Sequence, residues 1–287
     1  MDVKRVLVIG AGVMGHGIAL VAARSGLDVS MVDVREEFVK QGMEGIKRFL
    51  SESMKRGKTT LAEVDSILSH IRTSTNTEAE AEEADFIIEA IFENKEVKSN
   101  LFSKLNKICR GETIFASNTS QLSITELGEA SGRPELLIGM HWFNPPPLMR
   151  LIEIPVGEKT SKETVETTIK LSRTMGKQPF TCKDSPGFIV TRILNPWYNE
   201  GMNLLYEGVA TAEGIDTAIK VGGGFNMGPL ELRDYVGLDT ALHVTEDLYQ
   251  RLRNDKFKPS MNLRDLVAAG KFGRKTGEGF YKYHHKK

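Results

Sequence analysis

The side chains best suited to catalysis lie in the middle of the chain, after short apolar segments. His141 closes the segment that begins at Leu136, and Ser120 follows the segment Thr113 to Ser117. In an open α/β sheet the carboxyl ends of the strands face the ligand crevice, so we expect His141 and Ser120 to meet there. Histidine is the usual acid–base group of such sites, because its pKa lies near neutrality.

Interconversion of a hydroxyl and a ketone needs a proton acceptor, a group that holds this acceptor in the right tautomer, and donors for the developing oxyanion. His141 suits the first role. Glu153 suits the second, because an acid inside the apolar run Leu151 to Ile154 needs a partner. Ser120 and Asn144 are candidates for the third role.

Each of these residues also has an ordinary structural interpretation when it is taken alone. Ser120 could cap a helix or a turn, and Glu153 could pair with a surface Lys or Arg. The ordinary interpretation is the default for the remaining histidines, which are His16, His70, His243, His284 and His285. Several roles filled at once favour a catalytic site.

A glycine-rich turn stands between the strand-like run Val6 to Ile9 and a helical pattern over Ala11 to Ser25. In this context the spacing Gly-x-Gly-x-x-Gly is typical of dinucleotide binding. Gly10 allows the tight turn, Gly12 lets a pyrophosphate approach the backbone, and Gly15 lets the helix pack against the strand. The helix N-terminus offers free N–H groups to the phosphates. The residues expected at the cofactor are Gly10, Gly12, Val13, Met14 and Gly15.

The predicted cofactor is NAD rather than NADP. Asp33 closes the second strand-like run, Val29 to Val32. A carboxylate at this place binds the adenosine ribose hydroxyls and repels a 2′-phosphate. Arg35 argues in the other direction because it could accept a phosphate, so the strictness of the preference stays open. The alternative is an ordinary turn with an exposed Asp33.

The order of the predicted elements indicates an α/β fold: a Rossmann-like, doubly wound, mostly parallel sheet followed by an all-helical C-terminal domain. After the first strand–helix–strand unit, the segment around 36–70 is expected to insert two helices around the basic turn Lys55 to Lys58. Strand-like and helical segments then alternate. The further strands are expected at 85–90, 113–117, 136–141, 151–155 and 179–183.

The sequence changes character at Ser185-Pro186-Gly187, after which only helical patterns remain. We therefore predict an NAD-binding domain over 1–185 and a helical domain over 186–287. Pro196 is expected to kink or interrupt the first of its helices, over 188–205. The pattern over 229–253 predicts one long helix.

The composition excludes several classes of protein. The 287 residues carry 38 Lys plus Arg and 38 Asp plus Glu, which is a poor balance for general nucleic-acid binding. Two cysteines, Cys109 and Cys182, predict neither a disulfide framework nor a metal site. We recognise no apolar stretch of membrane-span length and no presequence, which indicates either a prokaryotic cytoplasm or a chain from which a presequence has been trimmed. We expect a cytoplasmic protein without membrane or nucleic-acid partners.

Several blocks of the sequence resemble the short-chain L-3-hydroxyacyl-CoA dehydrogenases, which include bacterial 3-hydroxybutyryl-CoA dehydrogenases. The resemblance runs nearly end to end, and the blocks around His141 and Pro186-Gly187-Phe188 are far more specific than the glycine turn. The blocks that carry it are residues 10–15, 115–120, 139–145, 184–188, 227–229 and 273–281.

This resemblance implies NAD-dependent oxidation of an L-3-hydroxyacyl-CoA to the 3-ketoacyl-CoA, and the reverse reduction, on short acyl chains such as 3-hydroxybutyryl and acetoacetyl. It implies a His141–Glu153 dyad, with Ser120 at the substrate oxygen and Asn144 positioning substrate and nicotinamide. It also implies an acyl-CoA bound between the domains and a homodimer formed through the C-terminal domain.

The resemblance further assigns contact residues. Arg56 falls where the family meets the CoA phosphates, and Lys55 and Lys58 flank it; the alternative for this basic turn is a solvated helix end. The residues at the cofactor, beyond the glycine turn and Asp33, are Glu93, Lys98, Asn118, Ser120 and Asn144. The residues at the substrate are Ser120, His141, Asn144, Thr191, Lys55, Arg56 and Lys58.

One departure from the family concerns Thr191, which stands where the family usually has an asparagine that binds the reacting part of the substrate. Threonine lacks the reach and the amide donors of asparagine. Asn195 lies four residues later on the same helical face and could compensate. We hypothesise an altered acyl preference or a reduced rate.

Two other functions compete with this prediction. A gulonate-type dehydrogenase would act on a free hydroxy acid, and a requirement for CoA separates it from the first. A non-catalytic NAD-binding protein could keep the glycine turn but would not need His141, Glu153 and Ser120 together.

Overall fold

The computed structural model describes residues 2–283, and a parallel six-stranded sheet forms the centre of their first part. The strands are β1 (Arg5–Ile9), β2 (Asp28–Val32), β3 (Ile71–Ser74), β4 (Phe86–Glu89), β5 (Ile114–Ser117) and β6 (Leu137–Gly139). Their spatial order is β3-β2-β1-β4-β5-β6. The order reverses between β1 and β4, where doubly wound sheets open a crevice for a dinucleotide.

Helices cover both faces of this sheet. Because side chains alternate along a strand, Val6 and Val8 of β1 join one apolar core whereas Leu7 and Ile9 join the other. The helices are α1 (Val13–Arg24), α2 (Glu36–Lys55), α3 (Leu61–Ser69), α4 (Thr77–Glu82), α5 (Lys95–Asn106), α6 (Ile124–Ser131) and α7 (Lys162–Thr174). The predicted Rossmann-like architecture is thereby confirmed.

A second, three-stranded sheet carries the predicted acid–base residues. Its strands, in spatial order, are β7 (His141–Trp142), β8 (Leu151–Val156) and β9 (Gln178–Lys183). β7 runs antiparallel to β8, and β8 runs parallel to β9. The single strand expected over 136–141 is wrong, because the chain leaves the first sheet after Gly139. A Cβ on Gly139 would lie 2.2 Å from the Pro155 ring, so only glycine permits this approach to β8.

Strand β3 and helix α4 escaped the sequence prediction. β3 is an edge strand in which only Ile71 is buried, so it lacks a continuous apolar run. α4 is a short acidic helix whose N-terminus is capped by the Asn76 side chain. The basic turn at 55–58 connects α2 to α3, as expected from the two helices predicted around it.

Contacts divide the chain into residues 1–188 and 189–287. The second unit is helical, and its core includes Met202, Leu230 and Leu263. His284 and His285 lie outside the described residues. No helix in the described range 2–283 is long and apolar enough to span a membrane. The helices of this unit are α8 (Val190–Tyr206), α9 (Ala212–Gly223), α10 (Pro229–Val236), α11 (Leu238–Leu252) and α12 (Met261–Ala268).

Two expectations for this unit need correction. The interruption expected at Pro196 is wrong, because α8 continues on both sides of this proline, which removes only one backbone donor. The single helix expected over 229–253 is two helices. Gly237, with a φ of 106°, separates α10 from α11 in a backbone conformation that side-chain-bearing residues rarely adopt.

Candidate active site

His141 and Glu153 face each other across β7 and β8, where their Cα atoms are register partners. His141 Nδ1 and Glu153 Oε2 are 2.9 Å apart. Both residues are buried, with 5% and 1% of their surface exposed. A carboxylate only accepts hydrogen bonds, so Nδ1 carries the hydrogen and Nε2 is left to exchange a proton with a ligand.

Aromatic rings enclose the imidazole. The ring centroids of Phe143 and Phe188 lie 4.6 and 5.8 Å from that of His141. Phe188 has a φ of 47°, a left-handed conformation that a bulky residue keeps only when its surroundings impose it. The block Pro186-Gly187-Phe188, which is prominent in the sequence, therefore sets an apolar wall beside the acid–base pair.

The loop after β5 presents Ser120 and is fixed at two points. The Asn118 side-chain oxygen accepts a hydrogen bond from the Trp142 backbone at 2.9 Å, which ties the loop to the strand of His141. The Glu93 carboxylate accepts from the Ser120 backbone at 3.0 Å and from the Thr119 hydroxyl. Glu93 therefore holds the loop that carries Ser120.

Behind this loop lies a buried charged cluster of Glu89, Glu93 and Lys98. The Lys98 ammonium is 2.9 Å from Glu89 Oε1 and 2.8 Å from Glu93 Oε2, and Lys98 is 1% exposed. Burial opposes the charge of all three groups. The two carboxylates nevertheless raise the pKa of Lys98, and Lys98 with the loop donors lowers that of Glu93. For Glu89 burial prevails and raises the pKa.

Sequence reasoning missed Glu89, although a signal for it exists. Glu89 ends the apolar strand β4 and is fully buried. The argument that singled out Glu153, an acid within an apolar run, applies to it equally. Lys98, expected at the cofactor, has its ammonium bound between two carboxylates.

The loop that follows His141 exposes Asn144, and its bond to Pro145 is cis. The buried Lys177 ammonium donates to the backbone oxygens of Pro146 and Met149 at 2.6 and 2.8 Å. Burial lowers the pKa of Lys177. Nothing in the local sequence separates this lysine from exposed ones, so its anchoring of the loop became visible only in the fold.

The glycine turn lines a groove of about 660 Å³ at the N-terminus of α1. Gly10 has a φ of 103°, and a Cβ on it would lie 2.5 Å from the Ala90 oxygen. A Cβ on Gly12 would meet no described atom within 4 Å, so space is open on that side of the turn. Val13 is 62% exposed and Met14 is half-buried, so the first turn of α1 is accessible. These features fit a bound pyrophosphate.

Asp33 lies at the rim of the same groove. Its carboxylate accepts from the backbone of Ala11 at 2.8 Å and of Val34 at 2.7 Å, which ties the glycine turn to the end of β2. Arg35 pairs with Glu37 at 3.1 Å and lies over the Phe38 ring. Arg35 therefore has an acidic neighbour, and Asp33, at the groove, is our candidate for the group that contacts a ribose.

The basic turn contributes unequally to a second groove, of about 530 Å³. Lys58 lines this groove together with Arg24 and Phe49. Lys55 instead pairs with Glu52 at 2.8 Å, and Arg56 is exposed at the end of α2. Of the three basic residues expected at the substrate, Lys58 lines this groove.

In the helical unit Thr191 is half-buried in the first turn of α8. Asn195 is 1% exposed, and its amide donates to the Thr245 hydroxyl at 2.8 Å. Asn195 is thus turned into the core of its own unit, which argues against the idea that it compensates for Thr191.

A parallel sheet with a dinucleotide turn, joined to a buried His–Glu pair, defines a dinucleotide-dependent dehydrogenase. Two family models match the chain: the 3-hydroxyacyl-CoA dehydrogenase NAD binding domain over residues 5–185 and the C-terminal domain of the same family over residues 187–283. The chain belongs to the 3-hydroxyacyl-CoA dehydrogenase family, and it is an enzyme with NAD as its cofactor.

Individual relatives agree with this family. The chain is 47% identical to the probable 3-hydroxybutyryl-CoA dehydrogenase of Deinococcus radiodurans, over 96% of this chain and 99% of the relative. It is 46% identical to the mitochondrial hydroxyacyl-coenzyme A dehydrogenase of Sus scrofa, over 98% and 91%. The crystal structure of (S)-3-hydroxybutyryl-CoA dehydrogenase from Ralstonia eutropha superposes with a TM-score of 0.94 at 42% identity, over 99% of this chain and 100% of that one.

Proposed function

We propose that this protein interconverts L-3-hydroxyacyl-CoA and 3-ketoacyl-CoA, with His141 and Glu153 as the acid–base dyad. The observation that carries the proposal is the 2.9 Å contact between the two buried side chains. An imidazole held in one tautomer by a carboxylate is poised to take a proton at Nε2 and to return it.

In the oxidation, His141 Nε2 accepts the proton of the substrate 3-hydroxyl. Glu153 stabilises the imidazolium that results, because the carboxylate lies beside the new charge in a buried site. NAD, when bound, supplies the hydride acceptor, and NADH the donor for the reverse reaction. In the reduction the imidazolium returns its proton to the substrate oxygen.

Ser120 and Asn144 are assigned to the substrate. Glu93 fixes the Ser120 backbone, which leaves the hydroxyl to donate to the substrate oxygen where charge develops. The exposed Asn144 amide, in the loop anchored by Lys177, would orient the substrate beside His141.

The CoA moiety is assigned to the groove beside the basic turn. Lys58 and Arg24 bring positive charge to this groove, which exceeds the single negative charge of Glu63, and the Phe49 ring brings an apolar surface. A nucleotide with several phosphates fits such a mixture, whereas a small free acid would leave most of it unused. This favours the CoA ester over the free hydroxy acid of a gulonate-type enzyme.

The test is the rate of NADH oxidation with acetoacetyl-CoA, run beside free acetoacetate and repeated with NADPH. We expect fast turnover only with acetoacetyl-CoA and NADH. Equal rates with free acetoacetate would contradict the CoA requirement. Binding of NADH without turnover of either substrate would favour a non-catalytic NAD-binding protein.

We also propose a homodimer formed through the helical unit, on the family resemblance, and a cytoplasmic location, with which the small number of cysteines agrees. Light scattering coupled to size-exclusion chromatography tests the first, with a mass of twice 31.9 kDa expected. A monomer mass at assay concentration would contradict it. Cell fractionation tests the second.

A further inference from the structure

We propose that Glu89 is a positioning residue for Ser120 and acts through Lys98 and Glu93. The proposal rests on the function above insofar as Ser120 is assigned to the substrate oxygen. The contacts themselves do not depend on that assignment.

A continuous chain of contacts connects Glu89 to Ser120. Glu89 Oε1 lies 2.9 Å from the Lys98 ammonium, and this ammonium lies 2.8 Å from Glu93 Oε2. The other oxygen of Glu93 accepts from the Ser120 backbone at 3.0 Å and from the Thr119 hydroxyl. Each side chain in this series of contacts is held in position by the next one.

Glu89 is itself held on the strand side. Its Oε1 also accepts from the Ile91 backbone at 2.8 Å, and its Oε2 accepts from the Ser117 hydroxyl at 2.6 Å. The carboxylate therefore links β4 and β5 with the ammonium of α5. A rigid strand end is in this way connected to the loop that presents Ser120.

The ionised form of Glu89 is the one that fits these contacts. Every neighbour named above donates to it, so a protonated carboxyl would bring a hydrogen to atoms that already donate. The charged groups that face Glu89 are Lys98 from α5 and, beyond it, Glu93. β5 presents the neutral Ser117. In β1 the register partner of Glu89 is the apolar Ile9. Burial raises the pKa of Glu89, although Lys98 and the donors from Ser117 and Ile91 oppose this, so acid is expected to protonate it more readily than an exposed carboxyl.

The experiment compares Glu89→Gln and Glu89→Asp with a matched control, Asp85→Asn. Asp85 directly precedes β4 and is bonded to the backbone of Lys4 and Arg5 and to Arg110, at the opposite end of the strand from the site. Asp85→Asn therefore shows how the removal of a hydrogen-bonded carboxylate affects the fold when the carboxylate does not contact the Ser120 loop. Gln keeps the shape of Glu, so that the variant folds, and Asp keeps the charge.

Two measurements are made on the full chain. The first is hydrogen exchange of the segment 118–122, followed by mass spectrometry. The second is kcat for acetoacetyl-CoA reduction as a function of pH. Reduction is chosen because it uses the protonated form of His141, which acid does not remove. A decline of kcat at low pH would therefore report the protonation of a group other than His141.

We expect Glu89→Gln to speed exchange in this segment and to lower kcat about tenfold, as a misplaced substrate contact does. It should also remove the acid-side decline of the parent, and Glu89→Asp should recover part of kcat. Asp85→Asn should change neither quantity. Unchanged exchange and kcat in Glu89→Gln would overturn the proposal. If the parent did not turn over acetoacetyl-CoA, the proposed function would fail while the exchange data still decided whether Glu89 holds the loop.

Discussion

Gly12 and Gly15 lie three residues apart in one turn, yet their surroundings are opposite. A Cβ on Gly12 would meet no described atom within 4 Å, whereas a Cβ on Gly15 would lie 1.7 Å from the Gly10 oxygen. The space beside Gly12 is therefore open to a ligand, and the space beside Gly15 is filled by the protein itself. Gly15 therefore serves packing, and we predict that Gly12 serves binding.

Gly12→Ala should consequently fold as the parent does but bind NADH at least about tenfold more weakly, because its methyl group occupies the approach of the pyrophosphate. The φ of −66° at Gly12 suits alanine. Gly15→Ala should lose most of its stability, since backbone would have to move. Thermal unfolding and NADH fluorescence titration separate the effects. Parent-like NADH affinity in Gly12→Ala would refute the placement of the phosphates.

His16 makes stability depend on pH. Burial lowers its pKa, the backbone oxygens of Ala11 and Gly12 oppose this, and Arg48 adds to the lowering. Below about pH 6.5 the unfolded chain therefore binds a proton that the folded chain does not. As the pH is lowered, the free energy of unfolding decreases, by at most about 1.4 kcal/mol per pH unit.

Urea unfolding at pH 7.5, 6.5 and 5.5 measures this dependence. His16→Asn should lose less stability than the parent between pH 6.5 and 5.5, because asparagine does not titrate. The imidazole packs against Gly45, so the variant is compared with the parent at each pH rather than by absolute stability. Identical losses in the two proteins would contradict the assignment.

Thr191→Asn should change kcat or the preference among acyl chain lengths, because it restores the amide that the family usually has at this position. The value of kcat/KM for ketoacyl-CoA substrates of four to ten carbons measures the effect. Asn195→Thr is the control, since Asn195 bonds to Thr245 inside the helical unit and should alter stability without altering selectivity. Unchanged kinetics across all lengths in Thr191→Asn would dismiss a role for this position.

The sequence predicted the parts of the fold whose signals are local. The apolar run of β1, the glycines behind it and Asp33 lie within one short segment and predicted the dinucleotide turn, and the alternation of strand-like and helical segments predicted the doubly wound sheet. β3 was missed because an edge strand needs only one buried side chain, Ile71. The continuity through Pro196 was missed because packing overrides the low helix propensity of proline. The break at Gly237 was missed because one helical pattern was taken to run across it, although glycine readily adopts the backbone conformation found there.

The site was predictable in its residue types and less so in its connections. The sequence suggested that His141 and Glu153 could pair, but the antiparallel register that opposes them depends on the break between β6 and β7 at Met140. Glu89 carried a local signal, an acid at the end of an apolar run, but its links to Lys98 and Ser117 became visible only in the fold. Lys177 carried no local signal, because its partners Pro146 and Met149 are distant in sequence. Asn195 illustrates the converse: α8 continues, so Asn195 follows Thr191 on the same helical face, but its amide bonds to Thr245 inside the helical unit, which argues against the compensating role.

The measurement that tests the dyad most directly is single-turnover reduction of acetoacetyl-CoA by NADH in His141→Asn, with NADH affinity determined in parallel. Loss of the proton donor should slow the reduction by about a thousandfold while NADH binds as in the parent. Glu153→Gln should slow it less, because the imidazole remains. A His141→Asn rate within a few-fold of the parent would contradict the account.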